Sequence, residues 1–188
     1  METVIAPGFL VAAPHLKDPN FDRTVVFMVE HDDEEGSLGL VINRESEMTL
    51  ERVLTQMKLQ VPAAGFTEGE RLVHYGGPVS PELGWIVHTP DWRGQGTRLV
   101  GDAVAVTASL EVLRAIATGE GPREFVFCLG YAGWGPGQLI EEIKTGSWFN
   151  VPFESALIFE VAIGKRWKTA IERLGIDPMA LVPMVGDA

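Results

Sequence analysis

The histidine, cysteine, serine and carboxylate side chains are the groups here that could hold a metal, attack a carbonyl or move a proton, and their spacing tests each chemistry. The four histidines, His15, His31, His74 and His88, include no pair at the i, i+4 separation of a helical zinc site, and one cysteine cannot build a structural zinc centre. His31 runs into Asp32, Asp33, Glu34 and Glu35. That run lacks the alternating ligands and terminal Glu of a calcium loop, so it reads as a solvated hairpin tip, and neither metal nor other cofactor is expected. No G-x-S-x-G frames a nucleophilic serine. Ser37, Ser46, Ser80, Ser109, Ser147 and Ser155 fall in turns or at helix starts, where capping accounts for them. Cys128 stands inside an apolar run, where burial makes a thiol inert. Glu30, His31, His88, Glu141 and Glu142 remain as acid–base candidates.

The stretch from Glu124 to Trp148 positions several of these groups. Phe125 to Leu129 is an apolar run that fits a strand covered on both faces. Gly130, Gly133, Gly135 and Gly137 follow, with Tyr131, Trp134 and Pro136 between them, and read as a tight turn. Gln138 to Lys144 resumes as a helix with Leu139, Ile140 and Ile143 on one face. Strand, glycine turn and helix together suggest a phosphate cradle. The P-loop fails because Pro136 follows Gly135, and the dinucleotide fingerprint fails because position 138 is Gln. Glu141 and Glu142 would also repel an anion, so packing is the better reason for the turn.

Elsewhere, Gly8 to Ala13, Thr24 to Glu30, Leu38 to Asn43, Arg71 to Tyr75, Gly84 to His88, Leu99 to Val106 and Ala156 to Phe159 read as strands. Thr24 to Asn43 forms a hairpin in which Asn43 lies near Arg23, away from Glu30 and His31. Helices are expected after Thr49 and after Ser109, with Leu110, Leu113, Ile116 and Ala117 inward and Gly119 as the stop, and again around Trp167 to Leu174. Hairpins are as common as helical crossovers, which argues for an α+β arrangement. Gly76-Gly77 marks a turn.

With 15 basic and 26 acidic residues, the formal charge of −11 disfavours direct nucleic-acid binding and attraction to an anionic membrane. A chain of 188 residues, 46% apolar, fits one domain spanning 1–188 with a substantial core. No signal core or spanning run appears, so a cytoplasmic protein with no membrane association is expected. The oligomeric state stays open.

The segments GFLVAAP, DPNFDRTVVFMVEH, GLVINR, HYGGPV with His88 beyond it, GYAGWGPGQL and RW..A...LG occur in that order. As a set they resemble the AlgH/YqgE family of bacterial proteins, from about Gly8 to Ala188. Ile140 stands where the family has a carboxylate after GQL, and Asp187 replaces a histidine in the G-H-A ending. The resemblance implies a bifurcated, barrel-like, mostly antiparallel β-sheet with about four helices packed outside. The family naming also implies a link to transcriptional regulation of alginate production.

The leading reading is a noncatalytic protein that binds a small molecule or protein partner beside Gly130–Gln138, any regulation of transcription being indirect. Its candidate contacts are Tyr131, Trp134, Gln138, Glu141, His31, His88, Gly76, Gly77 and Asn43. One rival is a hydrolase pairing His31 or His88 with a carboxylate near Trp134. The other is nucleic-acid binding, which needs Arg23, Arg44, Arg93, Arg98, Lys165, Arg166 and Lys168 on one face.

Overall fold

Strand β9 (Phe125–Trp134) is the axis of the molecule, in a computed structural model that describes residues 4–62 and 66–177. The strand does not stop at the glycines. It continues through Gly130 and Gly133 to Trp134, where the sequence suggested a turn. Gly130 instead serves close backbone approach within the sheet, since a Cβ there would overlap the Gly77 carbonyl oxygen.

Along one side of β9 runs β6 (Val79–His88), antiparallel and interrupted by a bulge. The other side is shared. β5 (Leu72–Tyr75) pairs in parallel with Cys128 and Leu129, and β3 (Gly36–Val41) pairs antiparallel with Ala132 to Trp134. The sheet therefore forks at Gly130. Gly76 and Gly77 sit in the fork: Gly76 N–H donates to the Leu129 carbonyl, and Val41 N–H to the Gly76 carbonyl, each at 2.8 Å. A Cβ on Gly76 would overlap the Gly130 carbonyl oxygen. One on Gly77, whose φ is +152°, would overlap the Tyr131 carbonyl group. Only glycine fits there.

The main path runs β10 (Trp148–Pro152), β1 (Gly8–Ala12), β2 (Val25–Asp32), β3, β9, β6, β8 (Val104–Thr107) and β7 (Thr97–Val100). A further strand, β4 (Glu45–Thr49), pairs with β5. Apart from the β5–β9 pair the sheet is antiparallel, and it curls into a half-barrel. Arg98 of β7 reaches back across the curl, donating to the Val29 carbonyl at 3.0 Å and pairing with Glu30 at 3.0 Å. Inside the curl pack Phe9, Phe27, Leu40, Val87 and Val126, closed by α4 (Ala156–Phe159) and α5 (Arg166–Glu172). A second core lies under α1 (Leu50–Gln56) and α2 (Leu110–Thr118), and a third under α3 (Gln138–Lys144).

Local signals explain much of this. Thr49 caps α1, its Oγ1 accepting from Arg52 N–H at 3.3 Å, and Gly119 ends α2 in the left-handed region. Ser109 stands at the N-cap position of α2, but its hydroxyl makes no capping bond. α2 is also phased differently from the expectation: Leu110 is 44% exposed while Val112 is fully buried. The single strand read over Leu99–Val106 is the β7–β8 hairpin, reversing at Gly101. Ala156–Phe159, read as a strand, is a fifth helix. Leu157 and Ile158 are both wholly buried, and a helical turn sends such neighbours into one core where a strand would send them to opposite faces. The apolar tail beyond Asp177, with Asp187, lies outside the described residues.

Candidate functional site

A cleft of about 620 Å³ opens where the tip of the β2–β3 hairpin meets the end of β9. The hairpin supplies Glu30, His31, Asp32 and Ser37, and β9 supplies Tyr131 and Trp134. A bulge between Met28 and Glu30 shifts the β2 register, so that His31 faces Ser37 across the hairpin. Directly opposed residues share a face. His31 Nδ1 accordingly lies 2.7 Å from Ser37 Oγ, while its Nε2 lies 3.2 Å from Asp33 Oδ1. The tip is fixed by Asp32, which accepts from the N–H groups of Glu34 at 2.7 Å and Glu35 at 2.9 Å. The Glu35 and Glu34 bonds hold the Asp32 carboxyl below the usual carboxylate range.

On the opposite wall, Tyr131 is partly exposed and meets Trp85 edge-on at 6.1 Å between ring centroids. Trp134 lines the cleft but is only 6% exposed. Its ring stacks on Phe21 at 6.2 Å and meets Trp148 edge-on at 5.8 Å. Its N–H donates to Glu142 Oε2 at 2.9 Å, and that oxygen also accepts the Trp148 indole at 2.8 Å. Gln138 completes the cluster. It accepts from Gly135 N–H at 3.0 Å and donates to Glu142 Oε1 at 2.9 Å. Glu142 thus ties β9, α3 and β10 together. Its sequence signal is an acid on a helix flanked by two tryptophans, but the convergence is created by the fold. Glu141, by contrast, only pairs with Lys144, at 2.7 Å on the surface.

The remaining sequence candidates lie elsewhere. His88 is wholly buried, and its Nδ1 lies 2.8 Å from the Thr89 carbonyl, which can only accept, so Nδ1 carries the proton. Its Nε2 then accepts from Thr107 Oγ1 at 2.8 Å. Burial pushes the His88 pKa below its ordinary value, leaving a neutral core imidazole. Asn43 sits at the far end of the hairpin, accepting from Val25 N–H and donating to the Arg23 carbonyl, both at 2.8 Å. Gly76 and Gly77 lie in the sheet fork. The structure therefore gathers His31, Tyr131 and Trp134 around one cleft, with Gln138 supporting its floor.

A second groove, about 570 Å³, flanks the other side of the acidic tip. Ile5, Ile140 and Ile143 line it together with Asp32, Asp33 and Lys144. Several basic residues are occupied internally. Arg44 donates to the carbonyls of Pro19, Asn20 and Asp22, Arg98 pairs with Glu30, and Arg166 is 5% exposed. Among the described residues no helix is long and apolar enough to cross a membrane.

Comparison with known proteins places this geometry in a wider group. A model of the AlgH-like family matches residues 9–179. A UPF0301 protein of Rhodospirillum rubrum is 44% identical over 180 residues, covering 95% of this chain and 92% of that one. A UPF0301 protein of Methylococcus capsulatus is 42% identical over 182 residues, covering 97% and 95%. The solution structure of AlgH from Pseudomonas aeruginosa matches over 100% of both chains, with a TM-score of 0.80 and 36% identity. A crystal structure of a Corynebacterium diphtheriae protein shares the fold at a TM-score of 0.72 and 24% identity, covering 96% and 92%.

Proposed function

The chain belongs to the AlgH-like family, and from that premise we propose that it is a noncatalytic cytoplasmic binding protein. Its site is the cleft between the β2–β3 tip and β9, and its ligand is a small molecule or a segment of a protein partner. The observation that carries this reading is the construction of the cleft. A partly exposed aromatic, Tyr131, faces the polar hairpin residues His31 and Ser37 across about 620 Å³, on a floor locked by Glu142 and Gln138. A preformed concave site with a few convergent polar groups suits ligand recognition. Any effect on transcription runs through that ligand or partner, because a formal charge of −11 opposes contact with DNA.

The test is native mass spectrometry of the purified protein for retained small molecules, followed by thermal-shift screening of metabolites against wild type, Tyr131→Ala and His31→Gln. A compound that protects wild type but neither variant locates the site. Protection that persists undiminished in both folded variants removes the reading.

A hydrolase is favoured by one observation only, the Ser37–His31–Asp33 chain of contacts at 2.7 and 3.2 Å. In that reading Ser37 Oγ attacks an ester carbonyl as His31 takes its proton and Asp33 supports the imidazolium; His31 then returns the proton to the departing alcohol, and water, deprotonated by His31, releases the acid from the acyl-serine. The Asp33 side chain is 71% exposed, so solvent screens its support. Turnover of a p-nitrophenyl ester that vanishes in both Ser37→Ala and His31→Gln would favour it over pure binding.

A further inference from the structure

The groove on the other side of the acidic tip shares His31 and Asp32 with the cleft but not its aromatic wall. Its floor is aliphatic. Ile5 is buried, and Ile140 and Ile143, neighbours on one face of α3, are half-buried. The tip is held against the start of α3, because Gly137 N–H donates to the Asp33 carbonyl at 3.1 Å. It also lies close on the end of β9, where a Cβ on Gly36 would overlap the Trp134 carbonyl oxygen. The groove is therefore formed in advance, which spares a partner the cost of ordering it.

Its charge is one-sided. Asp32, Asp33 and Glu34 line it, and the cation in the lining, Lys144, is tied to Glu141 at 2.7 Å. The Asp33 side chain is 71% exposed beside His31. Neither a second copy of this chain nor its own tail suits such a rim. The chain carries a formal charge of −11, and residues 178–188 hold Asp187 and no lysine or arginine. Accessible aliphatic surface within a rim of one sign suits a partner of the opposite sign.

We propose that this groove docks a segment of another protein in which aliphatic residues are flanked by lysine or arginine. The aliphatic side chains cover Ile140 and Ile143. The methylene stems of the basic residues lie along the same wall, and their charged heads reach Asp33 and Glu34. Ion pairs at so exposed a rim each add little affinity. The apolar floor holds the segment, while the charges select it and speed its arrival. Tyr131 and Trp134 take no part, so the groove is separate from the cleft reading.

The test follows the methyl signals of Ile5, Ile140 and Ile143 by nuclear magnetic resonance in the full chain. The probe is a short synthetic peptide of leucine and lysine, set beside oligolysine and a leucine–glutamate peptide of the same length. The leucine–lysine peptide gives saturating shifts at Ile140 and Ile143, oligolysine binds several-fold more weakly, and the glutamate peptide gives no shift. Ile140→Ser weakens binding roughly tenfold. Asp33→Asn with Glu34→Gln weakens it several-fold. Glu47→Gln with Glu120→Gln makes the same change of charge at exposed residues outside the groove and leaves binding unchanged. The proposal is overturned if the leucine–lysine peptide moves neither signal, if oligolysine binds as well, or if both double variants weaken binding equally. Self-association that is lost in Ile140→Ser would give the groove to a second copy. Contacts from its methyls to Leu181 or Val182 in the free protein would give it to the tail. Either result also overturns the proposal. The wild-type titration needs no variant, so a poorly folding Ile140→Ser does not blunt it. The cleft reading is tested with small molecules at Tyr131, so the two fail separately.

Discussion

Trp134 donates its indole N–H to the same Glu142 oxygen that accepts from Trp148, at 2.9 and 2.8 Å. Both indoles are almost wholly buried. Truncating the carboxylate leaves two donors without a partner, each costing about 1–3 kcal/mol. Glu142→Ala is expected to lower the unfolding free energy in urea by about 2–6 kcal/mol. Glu142→Gln loses less, since an amide oxygen still accepts. Glu141→Ala, which removes one exposed contact with Lys144, stays within about 0.5 kcal/mol. Equal losses at 141 and 142 would contradict the role given to Glu142.

The sheet fork makes a second contrast. Gly77→Ala forces a Cβ into the Tyr131 carbonyl group, and a clash with backbone cannot be relieved by a rotamer change. A loss above about 3 kcal/mol, or failure to fold, is expected. Gly137 also has a positive φ, but nothing lies within 4 Å of its would-be Cβ. Gly137→Ala therefore carries only the left-handed backbone penalty of about 1–2 kcal/mol. Comparing the two by denaturant unfolding checks the distinction, and similar values would refute it.

His74 fixes the direction of a pH effect. Its pKa falls from an ordinary 6.5 to about 4 in the folded protein, and burial moves that of His88 the same way. Between those values the unfolded chain binds protons that the folded chain refuses. Stability therefore declines as pH drops from about 6.5, and the His74 contribution, up to roughly 3 kcal/mol, is fully lost below about 4. Asp32, held low by backbone N–H groups, acts only below the carboxylate range. Urea melts at several pH values between 7.5 and 4 should show this slope, and His74→Phe should flatten it. An unchanged slope in that variant would assign the effect to other groups.

Cys128 is wholly buried, its Sγ near the Val41 carbonyl, and burial pushes its pKa up to about 12. Thiol reagents at pH 8 are expected to modify it only as fast as the protein opens, and completely in denaturant. Rapid labelling of the native protein would show that the β5–β9 region opens easily.

Where local chemistry decides conformation, the sequence was readable. The Thr49 cap, the Gly119 stop and the placement of Asn43 beside Arg23 all rest on neighbours in the chain or across one hairpin. The α+β class and the family's forked sheet were legible too. The glycine run was misread because a turn and a strand crossed closely by another backbone both call for glycine, and the crossing partner, Gly76-Gly77, lies more than fifty residues earlier. β4 and β10 escaped because their partners, β5 and β1, are distant in sequence and their own residues alternate weakly. In the candidate site, His31, Tyr131 and Trp134 were readable from residue type. The pairing of His31 with Ser37 was not, because it depends on the bulge after Met28. Nor was Glu142 as a double acceptor, because Trp134 and Trp148 meet only once α3 folds back.

Because β9 hydrogen-bonds to β3, β5 and β6, each of those three strands lacks a partner until β9 is made. A nascent chain has made β1 through β8 before Phe125 is synthesised, and the edges of β3 and β6 stay open meanwhile. Open edges recruit other chains. Products truncated short of Trp134 should therefore be the ones that aggregate in the cell, while chains cut after β10 stay dispersed.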